Sequence, residues 1–197
     1  MPQIYFENIK RNCNADIYFW NIVENCDELS ELIADNGMLL SEAKKRFKSN
    51  ARQREWLATR ALLRQTPHNG KEILYHANGQ PYIADKHISI SHTKDYAAIA
   101  VFDTPVGIDI EKIDRKAQTV IKAILQPHEK VEIPEEALDI WTAKEAAFKM
   151  SPQKVSVLKD IFAEKNACGY NITYPDGSTA TCSIFKTEEI ILAICIE

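Results

Sequence analysis

Long apolar runs are missing. No segment approaches the roughly 20 consecutive apolar residues that carry a helix across a bilayer, so no membrane span is expected. A leader signal is missing too: the opening MPQIYFENIKRNCNADIYFW has neither a basic start followed by an apolar block nor a small-residue cleavage site. The five cysteines are an odd number, widely scattered and without a C-x-x-C pair, which argues against a disulfide framework and a structural zinc site. A reduced, cytoplasmic protein is the expectation, and Cys195 in LAICIE reads as a buried strand residue. Positive charge is not in excess: 24 Lys and Arg stand against 28 Asp and Glu, a net charge of -4. The chain as a whole therefore has no pull toward nucleic acid or anionic lipid, and any anion site must be local.

What is present is enough chain for a real core. At 197 residues it suits one large domain or two small ones. Residues 1–25 alternate apolar and polar groups (IYF, then DIYFWNIV) and read as one or two strands. ELSELIADNGMLLSEAKKRF reads as short helices around a break at Gly37. SNARQREWLATRALLRQ is a helix that Ser49 or Asn50 can cap, with Trp56, Leu57, Ala61 and Leu63 supplying buried faces. KEILYHANGQPYI turns at Asn78-Gly79, and HISISHTKDYAAIAVFDTPVGIDIEKID reads as a strand meander broken at residues 93–95 and 103–105. A helical stretch from about residue 116 leads past Pro127 and Pro134 into a helix through WTAKEAAFK. The last third turns at Pro175-Asp176-Gly177 and again at Thr187 to Glu189, which predicts a three-strand meander.

The two parts rhyme. Each has a long helix centred on a tryptophan (EWLATRALLR, IWTAKEAAFK), then a meander that ends in an apolar strand (AAIAVF, IILAIC). The expected fold is therefore α+β, a pseudo-dimer of two similar halves, each a long helix on a mostly antiparallel meander sheet. The expected division is residues 1–103 as the N-terminal half, which carries the basic cluster and would grip the ligand, and 104–197 as the C-terminal half, which would carry the metal site.

Two segments carry the chemistry. In a strand through VGIDIE, Val106, Ile108 and Ile110 point one way while Gly107, Asp109 and Glu111 point the other. That sets the two carboxylates side by side, about 7 Å apart at Cα. Such a pair is either solvated or bridged by a hard cation, for which magnesium is suited, and Gly107 beside it would leave room for a ligand. In the later helix Leu138, Trp141 and Phe148 form a stripe in which position 145 is a glutamate, with Lys149 one turn on. A plain exposed Glu145–Lys149 pair is the ordinary reading of that spacing. If Trp141 and Phe148 face the core, however, Glu145 points inward or into a cleft, where a carboxylate needs a lysine or a metal. Basic residues cluster instead in the first half, at Lys44, Lys45, Arg46, Lys48, Arg52, Arg54, Arg60 and Arg64, as a solvated helix face or a local anion pocket. Ser91 and His92 in ISISHT point to opposite faces of a strand, so that histidine cannot easily serve that serine as base, and no G-x-S-x-G elbow exists.

VGIDIE, followed downstream by W-T-x-K-E-x-x-x-K, resembles the signature of the 4′-phosphopantetheinyl transferase superfamily. RQREWLATRALLR, NGQPYI and ISISHTKDYAAIAV are similar to the basic helix, the G-K-P turn and the S-x-S-H strand of its larger, monomeric, surfactin-synthetase-activating type. The resemblance implies an enzyme that moves the phosphopantetheine arm of coenzyme A onto a serine of an apo acyl-, peptidyl- or aryl-carrier protein and releases 3′,5′-ADP. It also implies a pseudo-dimer with the site in the cleft between its halves. By the same resemblance, Asp109, Glu111 and Glu145 would hold magnesium, with manganese an acceptable substitute. Glu145 would help deprotonate the carrier serine, and Lys149 would stabilise the transferring phosphoryl group. Lys44, Lys45, Arg52, Arg54, Gln80, Pro81, Ser91, His92 and Lys149 would contact coenzyme A. The chain departs from the pattern at Gln80, where many relatives carry lysine or arginine, and in the glycine-free MSPQKVSVLKD after Lys149.

Two other readings stand beside the transferase. One is a non-catalytic module of the same fold that binds coenzyme A or a carrier protein, which would have little need of all three acids and Lys149. The other is a metal-dependent phosphodiesterase or nuclease; Glu111 is followed by Lys112 and Ile113, which breaks the Glu-x-Lys spacing such nucleases use, and the acidic balance disfavours DNA.

Overall fold

The computed structural model describes residues 15–113, 124–127, 129, 131 and 133–197. The IYF segment and the expected helix from about 116 lie outside these residues. The chain builds two five-stranded antiparallel sheets. The first contains β1 (Asp16–Asn21), β2 (Leu74–Tyr75), β3 (Pro81–Ile83), β4 (Lys86–Thr93) and β5 (Tyr96–Phe102). Between β1 and β2 come α1 (Cys26–Ile33), α2 (Met38–Arg46) and α3 (Asn50–Arg64). The second sheet contains β6 (Val106–Lys112), β7 (Phe162–Lys165), β8 (Gly169–Thr173), β9 (Thr179–Lys186) and β10 (Ile190–Ile196), with α4 (Pro134–Met150) ahead of β7.

The strand orders are β1-β5-β4-β3-β2 and β6-β10-β9-β8-β7. In both, the first strand is separated from the rest by helix, a meander follows, and the last strand returns to pair with the first. The halves thus share one topology, and the α+β pseudo-dimer expected from the rhyme is present. The tryptophans that marked the rhyme do not occupy equivalent places. Trp141 bonds to the first strand of its sheet, at Glu111. Trp56 lies against Arg60, which bonds to Tyr75 on the second strand.

The expected three-strand meander in the last third has a fourth strand, β7. Its four residues, FAEK, are too few to show an alternating pattern, and pairing with β8 rather than local preference makes them extended.

Each sheet has a helix on one face and the other half on the opposite face. Ile88, Ile99 and Val101 pack under α3 with Leu57, Ala58 and Ala61. Phe19, Ala98 and Ala100 meet Ile108, Ile110, Leu192 and Ile194 between the sheets. On the far side α4 lies on Cys182, Ala193 and Cys195, and Cys195 is wholly buried as expected. The face of α4 that enters this core is made of Ile140, Ala143, Ala146, Ala147 and Met150, whereas Trp141 and Phe148 are only partly buried. The aromatic stripe therefore runs along the margin of the core. Small residues form the true seam because they let the helix approach closely.

Gly107 shows how closely. A Cβ there would stand 1.8 Å from the carbonyl oxygen of Ala146, an impossible overlap. The space read in the sequence as room for a ligand is filled by the backbone of α4, which is thereby clamped down on the acidic face of β6.

Candidate active site

β6 is an edge strand of its sheet, so its outward N–H groups need partners from elsewhere. The alternation in ISISHT supplies them. Ile88 and Ile90 turn toward α3, while Ser89 and Ser91 turn toward the other half. Ile108 N–H donates to Ser89 Oγ at 3.0 Å, and Ile110 N–H to Ser91 Oγ at 3.2 Å. Two serines of one half thus complete the backbone bonding of the other and fix its register.

Ser91 does more. Its hydroxyl donates to Asp109 Oδ1 at 2.7 Å and accepts from the Lys149 ammonium at 2.9 Å. Lys149 also donates to Asp109 Oδ1, at 2.6 Å. Ser91, Asp109 and Lys149 therefore form one knot across the halves, in which Asp109 is 4% exposed and Lys149 still reaches solvent. An ammonium has three N–H donors, so one remains for a substrate. Glu111 is buried and accepts from the Trp141 indole N–H at 3.0 Å. Glu145 stands on α4 one turn from Trp141 and one turn from Lys149, on the same side of the helix.

His92 faces α3, with Nδ1 3.4 Å from Glu55 Oε2. Burial holds its imidazole below the ordinary histidine range. Glu55 and Asp109 pull it up, and Lys149 and Arg52 push it further down. Two of the charges that act on His92, Asp109 and Lys149, thus belong to the knot.

Other expected ligand residues are placed differently. Gln80 crosses between the halves, its amide donating to the carbonyl oxygens of Lys149 at 3.3 Å and Met150 at 3.1 Å. It satisfies carbonyls at the C-terminal end of α4, at Lys149 and the residue after it. With Pro81 it lines a cavity of about 140 Å³ between the halves. Arg54 donates to the carbonyls of Ile22 and Glu24 and pairs with Asp95 at 3.1 Å, which ties α3 to the β1–α1 connection. Arg52 is exposed and pairs with Glu55 at 3.4 Å. Lys44 and Lys45 are exposed on the last turn of α2.

Three contributors escaped the sequence reading. Glu55 orients His92, and the Trp141 indole holds Glu111. Lys144 in the middle of WTAKEAAFK is 0% exposed; its ammonium donates to Glu129 and to the carbonyl of Ile124, both at 2.7 Å. Only the polar residues flanking Glu145 in that motif signalled that this helix carries more than packing.

Hard oxygen donors on β6 and α4 match a divalent cation in type. The second carboxylate oxygen of Asp109, Oδ2, is buried without a hydrogen-bond partner among the described residues, as a position left for a cation would be. Among the described residues, however, no three His, Cys, Asp or Glu side chains converge closely enough to hold one ion. Lys149 and the Trp141 indole occupy carboxylate oxygens of Asp109 and Glu111 in this conformation.

A family model described as the 4′-phosphopantetheinyl transferase superfamily matches residues 105–195, the half that holds the acids and Lys149. The chain is 32% identical over 133 residues to a 4′-phosphopantetheinyl transferase of Bacillus subtilis, which covers 59% of each protein. It is 30% identical over 161 residues to the 4′-phosphopantetheinyl transferase AcpT of Escherichia coli (strain K12), covering 73% of this chain and 75% of that one. A third relative, 4′-phosphopantetheinyl transferase gsp of Aneurinibacillus migulanus, is 24% identical over 130 residues, 60% of this chain and 54% of its own. Among the described residues, no helix is long and apolar enough to cross a membrane. With its duplicated topology and its D-x-E strand laid under the K-E helix, the chain belongs to the 4′-phosphopantetheinyl transferase superfamily.

Proposed function

We propose that this chain transfers the phosphopantetheine arm of coenzyme A to a serine of an apo carrier protein, with 3′,5′-ADP as the second product. The observation that carries the reading is the Ser91–Asp109–Lys149 knot, which joins the halves at the mouth of their cleft and leaves one ammonium N–H unspent. In the reaction the serine oxygen forms a bond to the pantetheine-side phosphorus, the bond from that phosphorus to the bridging oxygen breaks, and the leaving 3′,5′-ADP takes the electron pair. Lys149 is positioned to donate its free N–H to the charge that grows on the transferring group. Glu145, one turn away, receives the serine proton. Magnesium would neutralise the diphosphate, held from Asp109 through its buried Oδ2; Glu111 and Glu145 would join it only in a conformation that brings the three carboxylates closer together than they stand here. Asp109 and Ser91 hold the lysine still, and Gln80 fixes the end of the helix that carries it.

The test is direct. Purified protein, coenzyme A, magnesium and an apo carrier are combined, and the carrier is followed by mass spectrometry for one added phosphopantetheine arm. Absence of the added mass with several carriers, while coenzyme A still binds, would leave a binding module in place of an enzyme.

His92 gives this reading a pH signature. Its depressed pKa keeps it neutral at neutral pH. A 3′-phosphate bound beside it would favour the charged form, so binding takes up a proton. The ratio of wild-type to His92→Gln affinity for coenzyme A should therefore rise as pH falls through the pKa of the phosphate-bound imidazole and level off below the free imidazole's own lowered pKa. Titration calorimetry across that range measures the ratio, and 3′-dephospho-coenzyme A should show no such rise. A ratio that stays constant would remove His92 from the phosphate site.

A further inference from the structure

Away from this cleft, α2, α3 and β2 enclose a cavity of about 540 Å³, within the range of small-molecule sites. Trp56, Tyr75, Leu63 and Ile73 supply apolar wall, and Arg46 and Arg60 supply charge. None of the residues assigned to the transfer site lines it.

Arg60 is the unusual member. It is 8% exposed, and its guanidinium lies over the Trp56 ring, 3.6 Å from the centroid. Its three hydrogen bonds go to neutral oxygens: the Trp56 carbonyl at 3.1 Å, Thr59 Oγ1 at 3.0 Å and Tyr75 Oη at 2.9 Å. No carboxylate pairs with it among the described residues. Burial pulls its pKa below the ordinary arginine value; the Tyr75 hydroxyl opposes that, Arg46 adds to it, and Glu42 opposes it more weakly from a distance. Buried charges are normally paired, so a cation in the floor of a cavity whose hydrogen bonds all go to neutral oxygens, with Glu42 acting on it only at longer range, still lacks a contacting anion among the described residues.

The surroundings agree. Arg46 places a second guanidinium 5.8 Å from the centroid of the same Tyr75 ring that Arg60 bonds. The Trp56 indole N–H, though buried, finds no acceptor among the described residues. The acids on the cavity are spent or solvated. Asp35 accepts from Gly37 N and Leu39 N to start α2, Glu42 sits at the exposed rim 3.9 Å from Arg46, and Glu72 is exposed.

We infer that this cavity is a second binding site, for a small molecule that carries one oxyanion, a carboxylate or a phosphate, on an aromatic or aliphatic body. The oxyanion meets Arg60 and Arg46, and the body fills the space against Trp56, Leu63 and Ile73. The planar guanidinium on Trp56 is already desolvated and oriented, so little rearrangement opposes binding.

Phenyl phosphate, benzoate and uncharged benzyl alcohol serve as probes in titration calorimetry on the full chain. The expected result is saturable one-to-one binding of at least one anion and binding of the alcohol at least about tenfold weaker, a single charge-assisted contact. Arg46→Ala, at an exposed residue, should weaken the anion about fivefold or more and leave coenzyme A affinity unchanged. Arg60→Met should abolish it. Which anion binds tells carboxylate from phosphate. The inference is overturned if neither anion saturates below about 5 mM, if coenzyme A displaces the probe competitively, or if Arg46→Ala binds it as wild type does. Because Arg46 lies at the surface, that last comparison holds even where Arg60→Met does not fold.

Discussion

Replacing Asp109 with asparagine is expected to lower carrier modification about 10³-fold or more, roughly 4 kcal/mol of barrier, with the fold retained. The carboxylate has two tasks that an amide cannot share. Its Oδ1 holds the Lys149 ammonium at 2.6 Å and the Ser91 hydroxyl at 2.7 Å, and its Oδ2 is a buried acceptor with no partner among the described residues. Asparagine has nearly the same shape, so packing against Ala193 on the neighbouring strand survives. What goes is the negative charge that fixes the lysine and that a cation needs. Either the amide N–H₂ faces the ammonium and repels it, or it faces the orphan position and blocks it. Single-turnover transfer, with circular dichroism to confirm the fold, gives the answer. A variant that keeps wild-type turnover would detach Asp109 from the chemistry. Glu145→Gln should lose transfer comparably. Unlike Asp109→Asn, it should leave the Lys149–Asp109–Ser91 bonds in place, so its loss would report the proton-accepting and metal-holding roles of Glu145 together, apart from the positioning of the lysine.

The elements most readable in the sequence were those whose pattern and turns are local. β4, β5 and β6 each alternate or run apolar between clear turn residues, and all three lie where the pattern put them. The same holds for the acids on one face of β6. What could not be read depends on the partner half. ISISHT announces a strand with two hydroxyls on one side, but not that those hydroxyls cap the edge of another sheet. Gly107 looks like space for a ligand until a helix is found pressed on it. Gln80 reads only as a departure from the lysine or arginine of many relatives, yet its amide spans the halves to finish α4. Arg54, read as a coenzyme A contact, also bonds to two carbonyls and to Asp95. In each case the residue type was legible and its partner was not, because the partner lies tens of residues away.

Lys144 is the sharpest instance, and it predicts the largest loss of stability. A lysine two places after a threonine on an alanine-rich helix reads as solvated, yet this one is 0% exposed. Its ammonium is caught between the Ile124 carbonyl and Glu129, both at 2.7 Å. Glu129 in turn accepts from Gln126 N at 2.7 Å and from Ala163 N at 2.9 Å on β7. One ion pair therefore pins the segment before α4, the helix itself and the edge strand together. Burial lowers the Lys144 pKa, against the pull of Glu129. The pair is thus held by geometry at a cost in desolvation, and breaking it from one side is worse than removing it altogether. Lys144→Ala should destabilise the protein by about 3–5 kcal/mol, a drop of roughly 6–20 °C in melting temperature for a chain of this size. Lys144→Met paired with Glu129→Gln should recover a good part of that, since the volume is kept and no buried charge is left over. Thermal and denaturant unfolding of the two variants separate the cases. Equal stability of Lys144→Ala and wild type would mean that the ion pair holds nothing. A large loss in Lys144→Ala with no recovery in the double variant would place its contribution in charge pairing that no neutral replacement can imitate.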